Sequence, residues 1–141
     1  MKQRLHVITL GVDDLERSLK FYRDGMGLKT DGIFGADMHE RGAVVFYNME
    51  NGLILATWPR ANMAWDSDVP QGPPSATEFT IGYGVASREE VDEVIAQARA
   101  AGANIPKEPR DTFYGGYAGF FQDPDGHVWE VMWNPALNIK D

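Results

Sequence analysis

Hydrophobic positions along this chain switch between two periods, and the switches mark the elements. Leu5 to Val12 is aliphatic and β-branched with Gly11 near its end, which predicts a strand. Asp13 follows as a helix N-cap with Glu16 three residues on, a capping box. Leu15, Leu19 and Tyr22 then fall at i, i+4 and i+7 on one helical face. Gly25 and Gly27 stop that helix. Lys29 to Arg41 contains Asp31-Gly32 and Gly35 and reads as a short strand or a mobile loop. Ala43 to Tyr47 predicts a strand, Asn51-Gly52 a turn, and Leu53 to Trp58 the partner strand. The order is βαβββ, with one strand open.

Pro59 to Thr77 interrupts the pattern with four prolines and no apolar period, the signature of a linker. The order then returns. Phe79 to Val85 predicts a strand, Ser87 with Glu90 a second capping box, and Val91, Val94, Ile95 and Ala98 a helical face closed by Gly102. Asn104 to Pro109 reads as a connection and Asp111 to Gly115 as a short strand or loop. Tyr117 to Phe121 and His127 to Trp133 form a hairpin around Asp123-Pro124-Asp125-Gly126, with Asp125-Gly126 supplying positive φ. Gly84 lies 73 residues after Gly11 (84 − 11) and Gly126 lies 74 after Gly52 (126 − 52), so the two halves align as a duplicated module. This divides the chain into a first βαβββ module over 1–58, a linker over 59–77, a second module over 78–135 and a tail over 136–141.

One carboxylate sits inside the last strand. Side chains alternate across a strand, so Val128, Glu130 and Met132 share one face while His127, Trp129, Val131 and Trp133 share the other. A charged group between Val and Met is poorly solvated unless its face lines a wet cavity. Glu130 is therefore the first candidate for chemistry. The bland alternative is a partner for an Arg or Lys across the sheet.

Composition narrows the function classes. There is no cysteine, which removes disulfides, thiolate metal sites and cysteine nucleophiles together. Thirteen Lys and Arg against 21 Asp and Glu give a formal net charge of −8 with no basic block, so nucleic acid is not an expected partner. No stretch approaches membrane-spanning length and no leader pattern opens the chain, which predicts no membrane partner and a cytoplasmic location. The excess negative charge favours cationic over anionic small molecules as ligands.

The opening RLHVITLGVDDLERSLKFYRDGMGL and the hairpin FYGGYAGFFQDPDGHVWEVMWNP together resemble the vicinal oxygen chelate superfamily. That superfamily includes glyoxalase I, extradiol dioxygenases, and fosfomycin- and bleomycin-resistance proteins. The resemblance spans nearly the whole chain and implies an α+β fold of two βαβββ modules, whose curved mixed sheets enclose a cleft and carry their helices on the convex faces. In the family's metal enzymes each module offers one ligand from its first strand and one from its last. His6 matches the first such position and Glu130 the last, whereas the other two hold Phe79 and Ala56. Two donors leave most of a divalent shell to water, so the expectation is no cofactor, or one weakly bound divalent metal ion. Glyoxalase I activity itself is not expected.

His6 shares a strand face with Ile8 and Leu10 and could be a core imidazole; the resemblance makes it cavity-lining. With Glu130 it would form an acid–base couple that works without a metal. Trp58, Phe79, Tyr83 and Met132 are expected on the cleft faces as an aromatic-lined pocket, and Tyr114, beside Gly115 and Gly116, as a further ligand contact. Arg60 and Arg110 are available to an anionic substrate. Trp65 is a lid, or is buried against a second subunit, and a homodimer suits the paired modules. The function expected is binding or transformation of a small oxygenated compound. Two alternatives stand: a metal-dependent lyase, isomerase or dioxygenase, and a non-catalytic protein that sequesters a drug.

Overall fold

The computed structural model describes residues 1–140. The chain forms two compact units, Met1–Pro73 and a second beginning at Pro74. The first contains β1 (Val7–Val12), α1 (Leu15–Leu19, continued by a π-helical turn, Lys20–Gly25), β2 (Ile33–Phe34), β3 (Val44–Asn48), β4 (Ile54–Pro59) and α2 (Arg60–Ser67). The second contains β5 (Thr80–Gly84), α3 (Arg88–Ala100), β6 (Asn104–Asp111), β7 (Tyr117–Gln122) and β8 (Val128–Trp133). Each unit has one four-stranded mixed sheet, ordered β1-β4-β3-β2 and β5-β8-β7-β6. The first strand runs parallel to the last and the remainder are antiparallel. The fold is α+β, built from two βαβββ modules.

In both sheets the alternation of the strands sorts one face toward a helix. Leu10, Val12, Val45, Tyr47 and Leu55 are buried with Leu19, Phe21 and Tyr22 of the α1 segment, and the Tyr22 and Tyr47 rings lie 5.7 Å apart. In the second unit Val91, Ile95 and Ala98 of α3 are buried with Phe121, Trp129 and Val131, and the paired Phe121 and Trp129 rings stack at 5.7 Å. A fully buried side chain such as Ile95 contributes roughly 2 kcal/mol through the area it removes from water. These helix-facing rows fix the register, and with it which residues occupy the opposite, helix-free face.

Several local expectations shift. The first N-cap is Asp14, whose Oδ1 accepts from the Arg17 N–H at 3.0 Å, because Asp14 is the last residue with extended backbone. Asp13 instead receives Arg60 Nε at 2.9 Å. The second cap is as expected: Ser87 Oγ accepts from Glu90 N–H, and the Glu90 carboxylate accepts from Ala86 N–H. The 59–77 segment is more than a linker, since α2 starts directly after Pro59, whose φ of −55° suits a helix entry. Asn104–Asp111 is a strand despite Pro106 and Pro109. It lies at the sheet edge, where a missing N–H costs no ladder bond, and its register is broken by two irregularities. In the last hairpin only Gly126 has positive φ (87°), and Asp123 Oδ1 holds the turn by accepting from Asp125 and His127 N–H.

Candidate functional site

The helix-free face of the second sheet is assembled from three rows of paired residues. Gly82, Glu130, Phe120 and the exposed Lys107 form the middle row. Gly84, Met132, Ala118 and Arg110 form the row on one side, and Thr80, Val128, Gln122 and Asn104 the row on the other. Glu130 thus sits on an inner strand, half-buried, with a glycine on one side and a phenylalanine on the other. A Cβ at Gly82 would come within 3.2 Å of Met132 Cε, so a side chain there would crowd the floor beside the carboxylate. At Gly84 the space is taken by the side chain of Ile139, which seats the chain after β8 on this face.

The β6–β7 connection supplies the second functional group. Thr112 N–H donates to Gly116 O, Gly116 N–H donates to Thr112 Oγ1, and Gly115 takes φ of 83°. The closed turn directs Tyr114 back over the sheet, where its hydroxyl donates to Glu130 Oε1 at 3.3 Å. Gly116 is required for this arrangement: a Cβ there would stand 2.5 Å from the Trp133 carbonyl and 2.7 Å from the Tyr114 ring. Burial, and after it the Glu130 charge, push the Tyr114 phenol above its ordinary value, while the Thr112 hydroxyl and, to a smaller extent, the Arg110 charge pull it down. The phenol is therefore a protonated donor across the neutral range. Among the described residues Glu130 Oε2 accepts no hydrogen bond.

The residues picked out from the sequence separate under this register. Glu130, Met132 and Tyr114 come together. Phe79 and Tyr83 do not join them: Tyr83 pairs with Val131 and Phe79 precedes β5 with the same parity, so both belong to the α3-side row. The Phe79 ring lies 6.0 Å from His127, on that same side. In the first unit Trp58 shares a face with Ala56, and its Nε1 donates to the Arg41 carbonyl at 3.0 Å, holding the β2–β3 loop. His6 stands one residue before β1, exposed, with its carbonyl accepting from Ile54 N–H at 2.8 Å. It is in line with Ile8 and Leu10, whose row packs under α1. Trp65 packs against the same loop, its ring stacked on His39 at 5.1 Å and under Arg41 at 5.3 Å.

The first sheet repeats the geometry without the chemistry. The row Thr9, Ala56, Phe46 matches Gly82, Glu130, Phe120 at offsets of 73 (82 − 9), 74 (130 − 56) and 74 (120 − 46). Ala56 stands where Glu130 would. Among the described residues no group of three or more His, Asp or Glu lies close enough to hold a metal ion. Glu130 is flanked in its row by Gly82 and Phe120, its one bonded side chain is a tyrosine, and the Gln122 and Asn104 amides of the next row bond to each other, so the donor set does not fit a tightly held divalent ion. The first unit does carry an open pocket of about 570 Å³ lined by Lys29, Thr30, Asp31, Phe34, Phe46 and Asn48, with Phe34 and Phe46 rings 6.5 Å apart.

Two βαβββ modules, each parallel at one edge and antiparallel elsewhere, with a polar cluster on a helix-free sheet face, define a class of paired-module α+β proteins. The chain belongs to the Glyoxalase/Bleomycin resistance protein/Dioxygenase superfamily, whose profile matches residues 4–131. A glyoxalase-related enzyme from Fulvimarina pelagi superposes with a TM-score of 0.83 at 33% identity, over 99% of this chain and 94% of that one. Lactoylglutathione lyase of Arabidopsis thaliana is 25% identical over 131 residues, 91% of this chain but 43% of that protein, so the chain spans less than half of it. The glutathione transferase FosA of Serratia marcescens is 25% identical over 131 residues, 93% of this chain and 81% of that protein. No helix among the described residues is long and apolar enough to cross a membrane.

Proposed function

We propose that the chain binds a small oxygenated compound on the helix-free face of its second sheet and exchanges a proton with it through Glu130. One observation supports this above the others: a half-buried carboxylate on a bare glycine floor, with one oxygen fixed by Tyr114 and the other accepting no bond. A carboxylate so placed is suited to take a proton from the hydroxyl-bearing carbon of an α-hydroxycarbonyl, leaving the electron pair on the carbonyl oxygen, and to return it to the former carbonyl carbon once the hydroxyl proton has passed to that oxygen. The Tyr114 phenol, kept protonated, holds the carboxylate in place. That is an isomerase- or lyase-type step, and it needs no metal. His6, exposed just before β1, is not part of the Glu130 cluster, and its expected acid–base role is tested separately in the same assay. The lyase named for the longer plant relative is not carried over, because Ala56 and Phe79 occupy positions where the family's metal enzymes hold ligands.

The test follows proton exchange into hydroxyacetone in D₂O by NMR, with wild type, Glu130→Gln, Tyr114→Phe and His6→Ala. Wild type is expected to exceed the buffer rate and Glu130→Gln to lose about 100-fold or more of that excess. Equal rates for wild type and Glu130→Gln would contradict the proposal. A second reading, sequestration of a ligand without turnover, is favoured by the open pocket with its two exposed phenylalanines in the first unit. It predicts binding that survives Glu130→Gln, with no exchange.

A further inference from the structure

Arginines in this acidic chain tend to be matched with carboxylates: Arg23 with Asp24, Arg60 with Asp13, Arg88 with Asp111, and Arg99 with Glu108. Two half-buried arginines have no such match among the described residues: Arg41, which lies over the Trp65 ring, and Arg110. The guanidinium of Arg110 donates from Nη1 to the Ala118 carbonyl at 3.2 Å. A guanidinium has five N–H donors, and withdrawing it partly from water for one backbone bond leaves most of that capacity uncompensated. Its position is specific. Arg110 pairs with Ala118, which pairs with Met132, so it lies on the face of Glu130 in the adjoining row. Tyr114, bonded to Glu130, also feels the Arg110 charge.

We propose that Arg110 is the anion-recognising residue of this face and that the ligand carries a carboxylate. The inference rests on the Glu130 face being the ligand site. Two strand spacings and one row separate the Arg110 and Glu130 backbones, on the order of 12 Å. Two inward-reaching side chains reduce that to the length of a molecule of a few heavy atoms. The charges also set its direction, because an oxyanion is attracted to Arg110 and repelled by Glu130. The anionic end therefore lies at β6, the neutral oxygenated end meets Glu130, and Ala118, Phe120 and Met132 form the apolar floor between them. A planar guanidinium grips two oxyanion oxygens at once, which a lysine cannot reproduce. The net charge of −8 opposes anions in general, so selection of an anion requires a local cation, and of the two that β6 brings to this face, Lys107 is exposed and Arg110 half-buried.

The experiment titrates the ¹⁵N-labelled chain with benzoate and with its neutral counterpart benzamide, reading amide shifts. In wild type, benzoate is expected to bind about tenfold more tightly than benzamide and to move the Gly82, Gly84 and Gly116 amides. Arg110→Gln should abolish that preference while the rest of the amide spectrum stays native-like, and Arg110→Lys should keep part of it. A benzoate preference that survives Arg110→Gln, or shifts that avoid those glycines, overturns the proposal. Glu130→Gln separates the two readings. Tighter benzoate with loss of proton exchange supports both; unchanged proton exchange with continued dependence on Arg110 removes the catalytic role of Glu130 and leaves Arg110 standing.

Discussion

The hydroxyls of Ser18, Tyr47 and Thr57 are buried under α1 without a hydrogen-bond partner, although the residues around them are almost all apolar. A buried unbonded hydroxyl costs stability, so Tyr47→Phe is expected to stabilise the protein by about 1 kcal/mol, seen as a higher melting temperature. Burial pushes the Tyr47 phenol up to about 12, against a small opposing pull from the neighbouring Thr57 hydroxyl, which lies outside bonding geometry, and from the Arg23 charge. Between about pH 10 and the folded value the unfolded chain loses this proton first. The native state then binds more protons and stability falls as pH rises. Tyr47→Phe should flatten that fall by up to about 2 kcal/mol in melts above pH 10; the raised Tyr114 and Tyr117 phenols leave a remainder of the same sign. An identical slope in the variant would contradict the burial argument. Glu130 was legible in the sequence because one charge in an alternating apolar strand has few explanations. The Tyr114 bond and the Arg110 row were not, since they depend on the β6–β7 turn and on the register of a proline-containing edge strand.

Capping and turn chemistry decide the elements. Ser87 Oγ accepts from Glu90 N–H and the Glu90 carboxylate from Ala86 N–H at the start of α3, and Ser87→Ala is expected to cost about 1 kcal/mol in chemical denaturation. An unchanged midpoint would mean that the cap contributes nothing. The same hairpin turn is built twice: Met49 N–H to Leu53 O and Gly52 N–H to Met49 O recur 74 residues later as Asp123 to His127 and Gly126 to Asp123. Gly52 and Gly126 have nearly equal positive φ, 85° and 87°, which is why the glycine offset exposed the repeat in the sequence. Helices and inner strands were readable from period and caps. Asp13 was mistaken for the cap because Asp14 offers the same chemistry one residue on, and only backbone conformation distinguishes them. β6 was missed because proline argues against a strand, except at an edge. Phe79 and Tyr83 take the parity opposite to Glu130, which a count within one strand does not reveal, because it does not say which face carries the helix.

The repeat extends to how each half treats the end of its open face. Gly11 is met by Met63 and Arg60 of α2, the segment after β4, and its counterpart Gly84 is met by Ile139, in the segment after β8. Duplication thus produced two equivalent sheets, of which one keeps a carboxylate at the central row and the other an alanine. That asymmetry carries the proposal that function rests on a single carboxylate with a tyrosine, and not on a ring of metal donors. Metal content of the purified chain, beside Glu130→Gln, tests it most directly, together with melting in the presence of added divalent ions. The account predicts far less than one metal per chain, the same in both proteins, and no shift in melting. Near-stoichiometric metal in wild type that is lost in Glu130→Gln would contradict it.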